Sequence, residues 1–134
     1  EGAQGICPPD WHIPSDDEWK QLEGEVDSGF DYPDPEWDGV GWRGTDAGGN
    51  LKETGTIHWA EPNTGATNSS GFSCLPGGVR GTAGNFTYPT SYSNHWTSSA
   101  GTTAWIRQMH FDETGVNRYA TDFGYGLSVR CVKD

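Results

Sequence analysis

Two periods of apolar residues divide the chain. In the first, "PSDDEWKQLEGEV" places Trp19, Leu22 and Val26 on one stripe at helical spacing. Ser15 stands where an N-cap belongs, Glu18 three residues on completes a capping box, acids fill the first turn, and Gly24 offers a stop. The spacing predicts an amphipathic helix packed on a sheet. In the C-terminal half the period changes to two. "NHWTSSA", "TAWIRQMHF", "VNRYAT" and "GLSVRCVK" each alternate like strands, and "DETG" between Phe111 and Val116 supplies a hairpin turn, so the pattern predicts an antiparallel meander. Within "TAWIRQMHF", Trp105, Arg107 and Met109 share one face and Ala104, Ile106 and Gln108 the other. Both faces have something to bury, so periodicity leaves open which one meets solvent.

Between these regions no period survives. Residues 27–49, "DSGFDYPDPEWDGVGWRGTDAGG", are broken by Pro, Gly and acids and read as a long surface loop or a frayed second helix around Trp37. "LKETGTIHW" reads as a short extended piece, and "NTGATNSSGFSCLPGGVRG" as turns, with Pro76-Gly77-Gly78 reversing the chain. The expectation is one α+β domain over residues 1–134, with one capped N-terminal helix, long irregular loops and a C-terminal antiparallel sheet.

Charge narrows the partners. Residues 1–61 hold 15 Asp and Glu against 3 Lys and Arg, whereas residues 62–134 hold 4 against 5, and the net charge is −11. Phosphate binding needs clustered cations, so nucleic acid and anionic membranes are excluded as partners. No apolar run approaches the length that spans a bilayer, and the N-terminal residues do not read as a charged-then-apolar signal segment, so any export signal is expected outside this sequence. Scarce Lys with abundant Trp, Gly, Thr, Ser and Asn fits an extracellular, loop-rich module.

Five blocks, "GICPPDWHIPSDDEWKQLE", "GGNLKETG", "GATNSSGFSCLPGGVRG", "HWTSS" followed by "AWIRQ", and "GLSVRCVKD", stand in an order that resembles the Fibrobacter succinogenes major paralogous domain from Gly5 to Asp134. That family is a repeated extracellular module of bacterial surface proteins and lipoproteins, and its members usually carry a further segment upstream of the first block, which this chain lacks. The family is more distantly similar to the C-type-lectin-like fold of formylglycine-generating enzymes and retroelement-variable proteins. The resemblance implies a helix near the N-terminus, long loops, and a C-terminal sheet meeting the N-terminal strand.

The resemblance also implies a disulfide between Cys7 and Cys131, which both lie in its blocks, with Cys74 left as a small buried filler. The residues themselves leave open that all three cysteines are reduced core residues.

Catalysis finds little support. An isolated Cys74 does not make the cysteine pair of a formylglycine-generating site, and His12, His58, His95 and His110 fall in no nucleophile motif. His12 in "DWHIP" reads as a structural histidine bonding backbone near the helix start. Glu61-Pro62-Asn63 spells the triplet that mannose-binding lectins use with calcium, but "WND" does not follow it, and the match reads as coincidence. Asp31, Asp34, Glu36, Asp38 and Asp46 carry hard oxygens that suit calcium, against the plainer reading of a solvated acidic loop.

Aromatics point to recognition. Trp11 and Trp19 are expected in the core. The related folds bind through their last strands, and here "YPTSYSNHWTSSAGTTAW" and "NRYATDFGY" are rich in Tyr, Asn, Ser and Thr, residues that make adaptable contacts. The expected ligand-binding residues are Trp96, Trp105, Arg107 and Tyr119 as anchors, with Asn94 and Asp122 as polar contacts. The alternative surface is Trp37, Trp42 and Trp59 in polar, Gly-rich surroundings. The expected ligand is a glycan, with a protein ligand or a structural spacer role as alternatives.

Overall fold

A computed structural model describes residues 4–134. The chain begins with strand β1 (Trp11–His12) and helix α1 (Asp16–Val26). The Ser15 side chain accepts from the Glu18 backbone N–H and the Glu18 carboxylate accepts from the Ser15 N–H, so both halves of the capping box form. Gly24 does not stop the helix. It is helical and buried, and a Cβ there would lie 2.5 Å from the Tyr32 backbone nitrogen, so glycine lets the following loop cross at close range.

Residues 27–49 are organised rather than loose. A 3-10 helix spans Pro35–Asp38, capped by Asp34 and carrying Trp37 into the core. Strand β2 (Gly41–Arg43) and helix α2 (Ala47–Leu51) follow; the extended piece expected over residues 51–59 does not form a strand, since Leu51 ends α2, Lys52 makes a single bridge to Cys74 and the rest bends. Asp27 holds this turn together, its Oδ2 accepting from the backbone N–H groups of Thr45, Asp46 and Ala47 at 2.8–2.9 Å.

Strands β3 (Val79–Arg80) and β4 (Phe86–Thr87) make a small hairpin. Strands β5 (Tyr92–Ala100), β6 (Ala104–His110) and β7 (Val116–Thr121) are the predicted meander, antiparallel throughout. The fourth strand of this sheet is not "GLSVRCVK" but β2, giving the order β2-β7-β6-β5. The tail supplies only β8 (Val132–Lys133), which pairs antiparallel with β1. The Cys7–Cys131 disulfide ties these terminal segments together, and Cys74 is free and buried.

The inner face of the sheet packs against α1, and the core gathers Trp19, Trp37, Leu51, Trp59, Met109 and Val116. Trp11, expected inside, is 37% exposed: it stands on the two-residue β1–β8 pair, a small sheet separate from the four-stranded one that packs on the core. A buried ion cluster sits beside this core. Glu23 pairs with Arg43 at 2.6 Å and with Arg107, while Asp16 takes Arg107 and Arg118, both at 2.8 Å. Burial raises the Asp16 carboxyl, but the Arg118 and Arg107 guanidiniums outweigh it and hold it at about 2. Burial raises Glu23, against the two arginines that oppose it. Lys52 is fully buried as well, donating to the carbonyls of Thr64, His110 and Glu113 at 2.8–2.9 Å and so pinning the loop at Thr64 to the end of β6 and the turn that follows it.

Candidate functional site

Alternation on β6 decides where a site can form. Arg107 and Met109 point inward, so Ile106 and Gln108 point to the outer face together with their cross-strand partners. On this face Asn94 pairs with Gln108, Trp96 with Ile106, and Tyr119 with Ile106 from the other side. The β3–β4 hairpin and its turn stand over the sheet and close one wall. The result is a cleft of about 450 Å³ lined by Tyr88, Tyr92, Tyr119 and Tyr125 around Ile106 and Gln108, with Asn85, Thr82, Thr87 and Thr121 on its rim.

A chain of amides forms the polar floor. Asn94 Nδ2 donates to the Gly78 carbonyl at 3.3 Å, Gln108 Nε2 donates to Asn94 Oδ1 at 2.9 Å, and Asn117 Nδ2 donates to Gln108 Oε1 at 3.1 Å. Gln108 Nε2 also donates to Tyr119 Oη at 3.4 Å. Because the Tyr119 hydroxyl accepts from the protein, its own proton is directed to another acceptor. An aromatic ladder supports one wall. Trp42 meets His110 edge-on at 4.7 Å, His110 stacks on Tyr92 at 3.9 Å, and Tyr92 stacks on Tyr88 at 4.5 Å. Burial lowers the His110 pKa, which favours an uncharged imidazole in this stack at neutral pH. Among the described residues, none that lines the cleft carries a formal charge, in a chain of net charge −11.

The structure divides the expected binding residues. Tyr119 lines the cleft. Asn94 is fully buried beneath it and acts through Gln108, not as a direct polar contact. Trp96 lies on the outer face next to the cleft, stacked with Phe123 at 6.4 Å. Arg107 is not an anchor: it is fully buried in the ion cluster, on the opposite face. Trp105 shares that inner face, where the Arg118 guanidinium lies 3.6 Å from its ring centroid. Asp122 is exposed beyond the end of β7 and does not line the cleft. The alternative surface does not assemble, since Trp37 and Trp59 are each only 1% exposed and Trp42 alone reaches solvent.

The sequence reading did not single out Tyr88, Tyr92, Gln108 and Tyr125, although the tyrosines lie in the two stretches it marked. Counting from Ile106 and Gln108, which must share a face, across an antiparallel register selects Trp96 and Asn94 on one side and Tyr119 and Asn117 on the other, with Tyr92 one same-face pair further on, opposite His110. The register itself depends on the hairpin turns.

Four of the five acidic-loop candidates, all but Asp31, have structural work. Asp34 caps the 3-10 helix, Glu36 accepts from the Gly44 N–H at 3.0 Å, Asp38 pairs with Lys20 at 2.7 Å, and Asp46 accepts from the Ser28 N–H at 2.8 Å. Among the described residues no group of three or more His, Cys, Asp and Glu side chains is placed to hold a metal ion. Asn63 of the "EPN" triplet is buried and donates to the Glu53 and Gly55 carbonyls. His12 bridges two carboxylates, Glu18 and Asp134, in place of the expected backbone contact, and these partners raise its pKa, Asp134 foremost. Cys74, Ser93 and His95 meet in the core, with Cys74 Sγ 2.9 Å from Ser93 Oγ and 3.3 Å from His95 Nε2. Burial pushes the thiol up to about 11 and the imidazole down to about 4, so both are neutral at pH 7, unlike the thiolate of an activated cysteine.

Fold and cleft together define a disulfide-closed α+β domain built on an antiparallel sheet with an uncharged, tyrosine-lined outer face. The chain belongs to the Fibrobacter succinogenes major domain family, whose model matches residues 1–133. No curated protein and no solved structure matches it.

Proposed function

We propose that this domain is a non-catalytic extracellular recognition module that binds an uncharged glycan in the outer-face cleft. The observation that carries the reading is the cleft's composition: four tyrosines around a hydrogen-bonded amide floor, with no charge on its lining. Aromatic rings bury the apolar faces of sugars, and fixed amides and hydroxyls match their hydroxyl groups. A charged ligand would find no counter-ion here. The disulfide fits an oxidising compartment, and among the described residues no helix is long and apolar enough to cross a membrane. Antiparallel pairing of the first and last strands is also what a C-type-lectin-like relation would require.

A glycan array carrying neutral and acidic structures, probed in calcium and in chelator, tests the reading. Hits are expected among neutral glycans, equally in both buffers because no carboxylate lines the cleft. Replacing the half-exposed Tyr125 by alanine should then weaken binding about tenfold, the loss of one aromatic contact. Binding to no glycan, or full affinity in Tyr125→Ala, would favour a protein ligand or a spacer role instead.

A further inference from the structure

We infer that the ligand track continues past the cleft into a second subsite built on Trp96 and Phe123, so that the domain grips a run of sugar units along a neutral chain and not one terminal ring. The inference rests on the glycan reading of the cleft.

A second hollow of about 290 Å³ lies on the sheet, lined by Ile13, Trp96, Ser98, Ala100, Ala104 and Phe123, with Thr97 beside them. It adjoins the cleft through the sheet register. Ile106 lines the cleft and its partner Trp96 lines the hollow, while Thr121 lines the cleft and its partner Ala104 lines the hollow. Cross-strand partners sit about 5 Å apart, so the two depressions lie side by side on one face. Strand β6 runs beneath both, and from Ala104 in the hollow to Gln108 in the cleft it covers about 13 Å. That is a track too long for a single sugar ring.

The second hollow shares two features of the first, aromatic surface and an uncharged lining. Its lining holds no charge among the described residues, and its aromatic is displayed, not buried. Phe123 is 59% exposed and stacks at 26° on the half-buried Trp96 indole. Tyr88 and Tyr125, 54% and 37% exposed, stand at the cleft. Together they set exposed aromatics at both depressions, and among the described residues neither lining holds a charge. A neutral polymer with apolar ring faces fits such a surface, whereas a uronate chain would meet no cation in either lining.

Titration calorimetry with linear neutral gluco-, xylo- and manno-oligosaccharides, from disaccharide to hexasaccharide, tests the second subsite. For at least one series, wild-type affinity should rise about tenfold or more with length. Phe123→Ala, a surface change whose folding is checked by thermal melting, should flatten that rise and leave disaccharide affinity unchanged, while Tyr125→Ala weakens every length. Affinity independent of length, an unchanged hexasaccharide affinity in Phe123→Ala, or an equal loss at all lengths overturns the second subsite. In each of these cases the cleft reading survives if Tyr125→Ala still weakens binding. Failure of every oligosaccharide to bind overturns both.

Discussion

The two faces of strand β6 use polar residues in opposite ways. On the inner face Arg107 is sealed from solvent and held by Glu23 and Asp16, with Arg118 bound to the same aspartate. On the outer face Gln108, one residue along, is tied to Asn94, Asn117 and Tyr119 at the floor of an open cleft. Buried charges must be neutralised by partners, so the inner network tolerates no loss of a member. Neutral amides satisfy one another without counter-ions, so the outer network, in which Asn94 and Gln108 are themselves buried, can underlie an uncharged cleft. One strand thus joins the stability of the domain to its proposed site without making them depend on the same side chains.

The sharpest way to break this comparison is to remove Arg107. Arg107→Ala leaves Glu23 with one partner and Asp16 with less of its neutralisation, and should cost about 3–5 kcal/mol in denaturant unfolding. An effect of the same size from an outer-face change such as Tyr119→Phe would erase the distinction between the faces. Trp19→Ala belongs with the large inner losses, about 3–5 kcal/mol by the cost of emptying a core site.

Reducing the Cys7–Cys131 bridge should lower stability on the order of 4 kcal/mol as an upper value, since the closed loop covers a separation of 124 residues. Thiol titration of the denatured, unreduced protein should find one reactive cysteine, Cys74. Three would contradict the pairing.

Acid sharpens the comparison further. The folded pKa of Asp16 is depressed to about 2, below its unfolded value near 3.8, so its contribution is present above pH 4 and is lost as pH falls toward 2. Asp16→Asn should flatten that part of the stability–pH curve. An Asp16→Asn variant that keeps the wild-type acid slope would remove the aspartate from the account. Smaller again is Ser15→Ala, which deletes one half of the capping box and should cost about 1 kcal/mol. At the outer face, Tyr119→Phe should change stability by no more than about 0.5 kcal/mol while weakening glycan binding, because it removes only the hydroxyl held by Gln108.

What the sequence determined by itself was local. Ser15, Glu18 and the stripe through Trp19 specify a capped helix, because capping and helical periodicity are decided within a few residues. Alternation in residues 92–121 specifies strands, and "DETG" the turn that joins two of them. The family blocks added the closing disulfide. Tertiary structure decided everything that depended on which face meets what. Arg107 and Gln108 are equally plausible binding residues in an alternating strand, and only α1, laying Asp16 and Glu23 against one side, makes Arg107 a core residue. Trp37 and Trp59 stand in polar, Gly-rich sequence, yet both are core, because a small irregular domain recruits its large apolar side chains from loops when its helices and strands are short. The partner of β7 is β2, drawn from a stretch with no strand period, since a three-residue edge strand needs only one neighbour to pair with. Of the cleft tyrosines, Tyr92 and Tyr119 are brought to one face by register, a property of pairs of strands that no single stretch of sequence contains, and Tyr88 and Tyr125 reach it from the connections beside those strands.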